Sequence, residues 1–464
     1  MNAEVIEGKP ARLVLALALV SLVIGATQTV LLPIMPVVAG HFGSTEAVMA
    51  WGITAPLLVA AVATPLITRY RDLNGGRSGA VLSALALAIG SVISAMASSV
   101  PQFIVGRALT GASSALLAVV FTIISTDVDS RNAPKAFTLV STGFTLGTAC
   151  GFAIPGLTSF WAVGFRMPLI IVALGCFVAL AAILKCVPKP ARRALRESRR
   201  LKDPAGVVLL AAGMPLLILG LTIYDVAGII MLVSGCAVIA AWIAVELRHG
   251  DPLVPLRVVA VRDALPAHAA AFVTTFALYV TTLSVSSVLQ APTVDGGFGW
   301  SMGAAGWIVD CVTIGGLVLW PFLPYFFRRL GPHAVLSFGL GMGMIGAIMC
   351  LGSMASILNV FMLLLGISAV GIGMTVTYAA MPPILFNAVP PESIGAASGI
   401  STVIRAVSGA AGSAVTAAVL NYFPLRSAYI GLLALTAGLS GGVAIFVLGR
   451  APRWTGSVRS ASTK

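Results

Sequence analysis

The chain has 464 residues, 58% of them hydrophobic and 9% charged, with a formal net charge of +13; its mean hydropathy is +1.03. Soluble globular chains carry about a quarter charged residues, so the basic excess does not read as a soluble nucleic-acid-binding protein. Apolar runs longer than the roughly 18 residues of a membrane-spanning helix recur along the chain, and because they are continuous rather than alternating they exclude a β-barrel.

The first expected span follows Lys9 and Arg12 and ends near Phe42. It is longer than the apolar region of a secretory leader and lacks a cleavage pattern, so no cleaved signal is expected. Further spans are expected at about 47–70, 78–99, 101–127, 134–160 and 164–187. Pro101 suits the first turn of the fourth, where a missing backbone donor costs nothing. A polar, strongly basic stretch at 188–203 reads as a solvated linker or an anionic-lipid contact. Two shorter spans follow at 204–224 and 227–247, and then a segment at 252–262 that mixes apolar and basic residues and is expected at the inner membrane surface. Spans 9 to 13 are expected at about 264–289, 302–327, 334–352, 357–386 and 393–422. A fourteenth ends before Arg450, leaving a basic tail. The six cysteines lie in or beside apolar runs without metal-ligand or CxxC spacing, and read as small buried hydrophobes. No disulfide and no metal site is expected.

Charge placement orients this array. Of the 28 Lys and Arg, Arg107 and Arg405 fall inside spans and Arg166 and Arg426 in outward loops; all the others fall in segments that would be cytoplasmic. By the positive-inside pattern both termini are expected in the cytoplasm.

An internal repeat organises the whole. The stretch from Thr64 to Arg77 is a charged, glycine-containing turn between two apolar segments, and the stretch from Pro321 to His333 has the same shape. Pro65 and Pro321, Gly75 and Gly331, Pro134 and Pro390, and Gly143 and Gly399 are each 256 residues apart. The same offset carries spans 9 to 13 onto spans 1 to 5. The expected fold is an all-α polytopic membrane protein with 14 spans: an N-terminal six-helix bundle (1–187), a basic linker (188–203), two extra central helices with an interfacial segment (204–263), a C-terminal six-helix bundle (264–450) and a basic tail (451–464). Two parallel six-helix halves describe a secondary transporter of the major facilitator type.

Local motifs extend this. Asp72, Gly75 and Arg77 match the G-x-L-x-D-x-x-G-R-R turn after the second span of major facilitator proteins, with Thr68 and Gly76 at two of its other positions. Arg107 and Gly111 match the R-x-x-x-G of span 4, and Gly143, Gly147 and Gly151 a glycine-rich span 5. The chain resembles the fourteen-span drug:proton antiporters of the major facilitator superfamily, of the actinobacterial type. The resemblance implies alternating access driven by a proton gradient, with no bound cofactor, and a proton-relay or structural role for Arg107 facing the cavity.

Transport needs helices that can re-pack and an ionisable group in the pathway. Small faces allow close backbone approach, so Gly143, Gly147, Gly151, Gly399 and Gly409 are expected at the packing between the halves, or simply in static packing. Asp72, with Gly75, Arg77, Asp127 and Arg131, is expected to form a cytoplasmic gate in which the acid caps a helix of the other half. Intramembrane charges are costly and usually functional. Asp310 is expected about 12 Å from the outer end of span 10, and Arg405 about 18 Å from the inner end of span 13. Those two come out at similar depth, and Arg107 about 9 Å from the outer end of span 4; Asp310, Arg405 and Arg107 are candidates for proton coupling, with a permanent Asp310–Arg405 ion pair as the alternative. Gln28, Trp51, Tyr279, Trp307 and Tyr378 are cavity candidates, or packing and interfacial residues.

The expected function is a proton-coupled exporter of hydrophobic or amphipathic small molecules in the cell membrane, a monomer with the lipid bilayer and a small-molecule substrate as partners and no nucleic acid. An importer or narrow-substrate carrier is the second reading. No Walker motif is present, so ATP is not expected as the direct energy source, and no His–acid cluster points to an enzyme.

Overall fold

The computed structural model describes residues 9–129, 132–158, 164–188, 204–223, 225–248, 262–319, 322–355, 360–389 and 394–450. The basic linker beyond Pro188, the segment 252–261 and the tail 451–464 lie outside the described residues, as does Arg131.

The first half of the chain folds into α1 (Lys9–Thr29), α2 (Leu31–His41), the single turn α3 (Glu46–Met49), α4 (Trp51–Asn74), α5 (Gly76–Ala95), α6 (Val100–Thr110), α7 (Ser113–Asp127), α8 (Ala133–Thr158) and α9 (Arg166–Cys186). A hairpin of α10 (Pro204–Thr222) and α11 (Val226–Arg248) follows, then α12 (Leu265–Gln290), α13 (Met302–Leu319), α14 (Leu323–Ala355), α15 (Val360–Ala388), α16 (Ile394–Tyr422) and α17 (Leu425–Gly449). All regular structure among the described residues is helical, as lipid requires of spanning segments whose backbone must satisfy its own hydrogen bonds.

Among the described residues twelve segments, one of them α6 and α7 taken together, are long and apolar enough to cross a membrane. The two expected spans that fall short are the seventh and tenth, whose apolar helices are Ala205–Gly220 and Gly303–Leu319. A helix of 17 residues is about 26 Å long, against a hydrocarbon core of about 30 Å. The continuous first and fourth spans are also broken, one at Val30 and the other at Gly111–Ala112. Local capping starts the second of these as expected: Ser99 is the N-cap, its hydroxyl accepting from Gln102 N, and a proline occupies the first turn.

Burial sets the centre. The apolar span within α12 is 94% buried and that within α11 17%, so α12 is the axial helix and α11 a peripheral one. In the first half α1 packs on α8 and α9, and α5 on α6 and α9; in the second α14 packs on α15 and α17, and α12 on α15, α16 and α17. The halves meet mainly where α4 packs on α16 and α8 on α13, with smaller contacts of α2 on α12 and α13 and of α3 and α7 on α16. The hairpin docks through α10 onto α16 and α4.

The 256-residue offset has a backbone counterpart. Gly75 (φ 90°, ψ 159°) separates α4 from α5, and Gly331 (φ 76°, ψ 164°) turns the chain inside α14. Only glycine adopts that conformation without strain, so the repeat carries one turn onto the other.

The glycine-rich face of α8 corrects an expectation. Gly143, Gly147 and Gly151 do not lie between the halves; they abut the backbone of Ala18, Leu22 and Ala26 on α1, within the first half. Their i, i+4, i+8 spacing makes one flat stripe along which two backbones touch. The inter-half face of α8 is carried by Phe152 and Gly156, which meet Gly306 and Trp307 of α13. Gly409 of α16 does lie between the halves, against Leu57 of α4 and the Tyr279 ring. The surroundings of Gly399 lie outside the described residues.

Candidate functional site

Arg107 occupies the last turn of α6 and is buried. Its Nε donates to the Gly52 carbonyl at 3.0 Å, and both terminal nitrogens reach the Thr27 carbonyl at 3.5 Å. The local sequence explains the first bond. The helical donor for Gly52 would come from residue 56, which is a proline without an N–H, so the guanidinium fills a carbonyl that α4 itself cannot satisfy. Gly111, one turn on, meets the Pro56 carbonyl directly, which holds α6 against α4. Around the guanidinium is a cavity of about 30 Å³ lined by Thr27 and Gln28 of α1, Ile53, Pro56 and Leu57 of α4, Thr110 to Ser114 apart from Ala112, and Tyr279 of α12. Gln28, Arg107 and Tyr279, three separate sequence candidates, thus meet at one place.

A second polar group continues from it. Tyr279 interacts electrostatically with both Arg107 and Tyr378. Tyr378 pairs its hydroxyl with Thr275 of α12 at 2.7 Å, and the Arg405 guanidinium carbon stands 5.3 Å from the centre of the Tyr378 ring. Arg405 also donates to Thr402 at 3.4 Å. Neither arginine has a carboxylate partner among the described residues.

Asp310 is buried on α13, and its Oδ1 has no hydrogen-bond partner. It lies close enough to Cys150 of α8 and to Cys311 to interact electrostatically with both. The ion pair with Arg405, the alternative reading, is not formed: Asp310 lies on α13, which packs on α8, while Arg405 stands over Tyr378. Trp307, a turn from Asp310, packs on Gly156 and is 46% exposed, and Trp51 packs against the α10–α16 cluster; neither lines the cavity.

The expected gate is not assembled among the described residues. Gly75 caps α4, Arg77 donates to the Leu184 carbonyl of α9 at 2.7 Å in its own half, and Asp127 is exposed and accepts from Thr126. The side chain of Asp72 and all of Arg131 lie outside the described residues. At the opposite end of the bundle the halves do bond: Gln290 donates to the Pro33 carbonyl at 2.9 Å, and Phe298 and Trp300 pack into the same core. Losing one such bond costs about 1 kcal/mol, roughly fivefold in a two-state equilibrium. In a chain freed of its six native cysteines, Gln290→Ala is expected to speed labelling of a cysteine placed at Leu289 by about that factor.

Sequence reasoning missed Thr27, Thr275 and the Gly52–Pro56 pair. A proline four residues after a glycine on a polar-facing helix was the legible signal for the last; nothing in the sequence marks the threonines.

This arrangement, two helical sets around an axial helix with one buried and one half-buried arginine at their contact, has relatives. The family model of the Major Facilitator Superfamily matches residues 17–250 and 268–463. The chain belongs to that superfamily. Among its superfamily relatives, the Multidrug resistance protein B homolog of Mycobacterium tuberculosis is 24% identical over 392 residues, covering 82% of this chain and 71% of that protein. The uridine/deoxyuridine transporter of Lactococcus lactis is 25% identical over 409 residues, 82% of this chain and 80% of that one. Other relatives at similar identity also carry drug-resistance names. A crystal structure of a peptide transporter shares the fold with a TM-score of 0.68 at 16% identity, over 95% of this chain and 94% of that one. This facilitator is therefore a multi-span helical transporter.

Proposed function

We propose that the protein is a proton-coupled exporter of hydrophobic or amphipathic small molecules, working by alternating access between two six-helix bundles (1–187 and 264–450) with two extra central helices between them. The observation that carries the coupling is Asp310: a buried acid whose Oδ1 has no hydrogen-bond partner, and which forms no ion pair, among the described residues, on a helix that packs across the two halves. Such a group can take a proton from one side and give it up on the other when the α8–α13 contact opens. Arg107 and Arg405 are the other proton-coupling candidates, in the separate polar group around Tyr279 and Tyr378. Asp72, Gly75, Arg77, Asp127 and Arg131 form the cytoplasmic gate in the alternative state. Fourteen spans complete the membrane topology, with the seventh at about 204–224 and the tenth at about 302–327. Both termini are cytoplasmic, the Gln290 end faces outward, and the protein works as a monomer in the cell membrane.

Drug-resistance relatives favour export of amphipathic compounds; the uridine/deoxyuridine transporter favours a narrow-substrate carrier as the second reading. The test is efflux of a lipophilic dye from energised inside-out vesicles, with and without an imposed pH gradient. Wild type is expected to depend on the gradient, and Asp310→Asn at equal expression to lose that dependence. A variant that matches wild type would make Asp310 structural; a wild type that moves no dye would leave the narrow-substrate reading.

A further inference from the structure

The polar group between the halves has an order along the membrane normal. Helix α4 serves as a ruler. Arg107 bonds the carbonyl of Gly52, Tyr279 and Leu57 both meet Gly409, and Ala406, next to Arg405, packs on Ala60. From Gly52 to Ala60 is about 12 Å at 1.5 Å per residue. Arg107 and Arg405 are thus two cations at different levels on one interface, and the two tyrosines lie between them, each in electrostatic contact with the next.

Their chemistry is one-sided. Arg107 spends its donors on two backbone carbonyls, and Arg405 spends one on a hydroxyl while its face lies on the Tyr378 ring. A guanidinium lying over an aromatic face keeps N–H groups free at its edge. No carboxylate of the described residues answers either charge. The Tyr279 hydroxyl, in the wall of the cavity, has no hydrogen bond to another described residue. Arg107 is buried and Arg405 half-buried; charges of one sign withdrawn from water call for a counter-charge, and a planar guanidinium edge fits a planar oxyanion with two parallel bonds. Beside the cations, Ile53, Pro56 and Leu57 offer apolar wall.

We propose that this row is a substrate path for amphipathic organic anions: one carboxylate on an aromatic or otherwise apolar body. The carboxylate is held by Arg405 at one level and by Arg107 at the other, with the hydroxyls of Tyr378 and Tyr279 between, while the body lies against α4. This deepens the transporter reading by naming its substrate class, and it rests on that reading. The same row disfavours lipophilic cations, which meet two like charges on the way.

The test is equilibrium binding to the purified full chain in nanodiscs, read by fluorescence, with three probes that share one ring system: anthracene carboxylate, anthracene methanol and aminomethylanthracene. The acid is expected to bind tightest and the amine weakest. Arg405→Gln is expected to weaken the acid about tenfold, as loss of a charge-assisted bond does, and to leave the alcohol unchanged; Arg405→Lys is expected to fall between. Alcohol binding reports that each variant is folded, and the wild-type ranking stands without any variant. Equal affinities, a preference for the amine, no binding of the acid, or equal weakening of acid and alcohol by Arg405→Gln would overturn the proposal. Binding needs neither a gradient nor a direction. Acid-selective binding by a protein that effluxes nothing would therefore sink the exporter and keep the anion site; dye export with no acid preference would do the reverse.

Discussion

Gly147→Val is expected to abolish recovery of folded protein, the largest stability effect of any single change considered. A Cβ at Gly147 would run into the Leu22 carbonyl of α1, and its neighbours Gly143 and Gly151 are wedged in the same way against Ala18 and Ala26. From the other side, a Cβ on Gly25 of α1 would meet the carbonyl of Phe144. The obstacle is backbone on both helices, so no side chain can rotate away. Separating α8 from α1 would also break the bond from the Thr29 hydroxyl to the Thr148 carbonyl, 2.9 Å long, and shift Phe152 and Gly156 off α13. Ordinary overpacking costs about 1–3 kcal/mol because neighbours relax; here they cannot, so the cost is above that range. The matched control is Gly341→Ala on α14, where an added Cβ meets nothing within 4 Å. That change is expected to hold stability or raise it by up to about 1 kcal/mol through helix propensity and a less flexible unfolded chain. The fraction of protein remaining monodisperse after a heating series separates the two. Gly147→Val surviving as well as Gly341→Ala would mean that α1 and α8 are not in backbone contact.

That stripe shows how far the sequence could be read. The membrane class, the helical runs and the repeat were legible because each depends on residues acting locally: apolar length makes a span, and a glycine at positive φ makes the Gly75 and Gly331 turns whatever surrounds them. The spacing of Gly143, Gly147 and Gly151 was equally visible and says that one face of α8 is thin. It cannot say which helix that face meets, because a three-dimensional partner is chosen by the whole bundle; the need of a transporter for helices that re-pack suggested the other half, and α1 occupies the place. The same limit explains Asp310 and Arg405. Depth along a helix follows from counting residues, whereas the direction a side chain takes around the helix needs the neighbours. Two charges at similar depth therefore left an ion pair open as an alternative, while in the fold Asp310 lies on α13, which packs on α8, and Arg405 stands on Tyr378. Gln28, Arg107 and Tyr279 came out as separate candidates for separate reasons, and only the fold shows that they share a wall.

Arg107→Met is expected to separate stability from transport, with transport falling by roughly tenfold to a hundredfold if one or two charge-assisted contacts to the moving ligand are lost. Two structural terms oppose each other. The Gly52 carbonyl loses its 3.0 Å donor and, with Pro56 four residues on, has no helical one; a buried acceptor left alone costs about 1–3 kcal/mol. Against that, a buried cation without a carboxylate partner is replaced by an apolar side chain of similar length, a change that is often neutral or stabilising by about 1–4 kcal/mol. The terms are of one size, so the variant is expected to fold. Adding Pro56→Ala tells the roles apart. Alanine returns an N–H to position 56, the Gly52 carbonyl regains its helical partner, and stability is expected to rise by about 1 kcal/mol over the single variant. Transport in inside-out vesicles is expected to stay down, because nothing in the double variant replaces the charge. If the added alanine restored transport together with stability, Arg107 would be a backbone clamp for α4 and nothing more. If it restored stability alone, the guanidinium acts on what passes between the halves, and α4 keeps a proline at position 56 so that Arg107 is held facing the cavity.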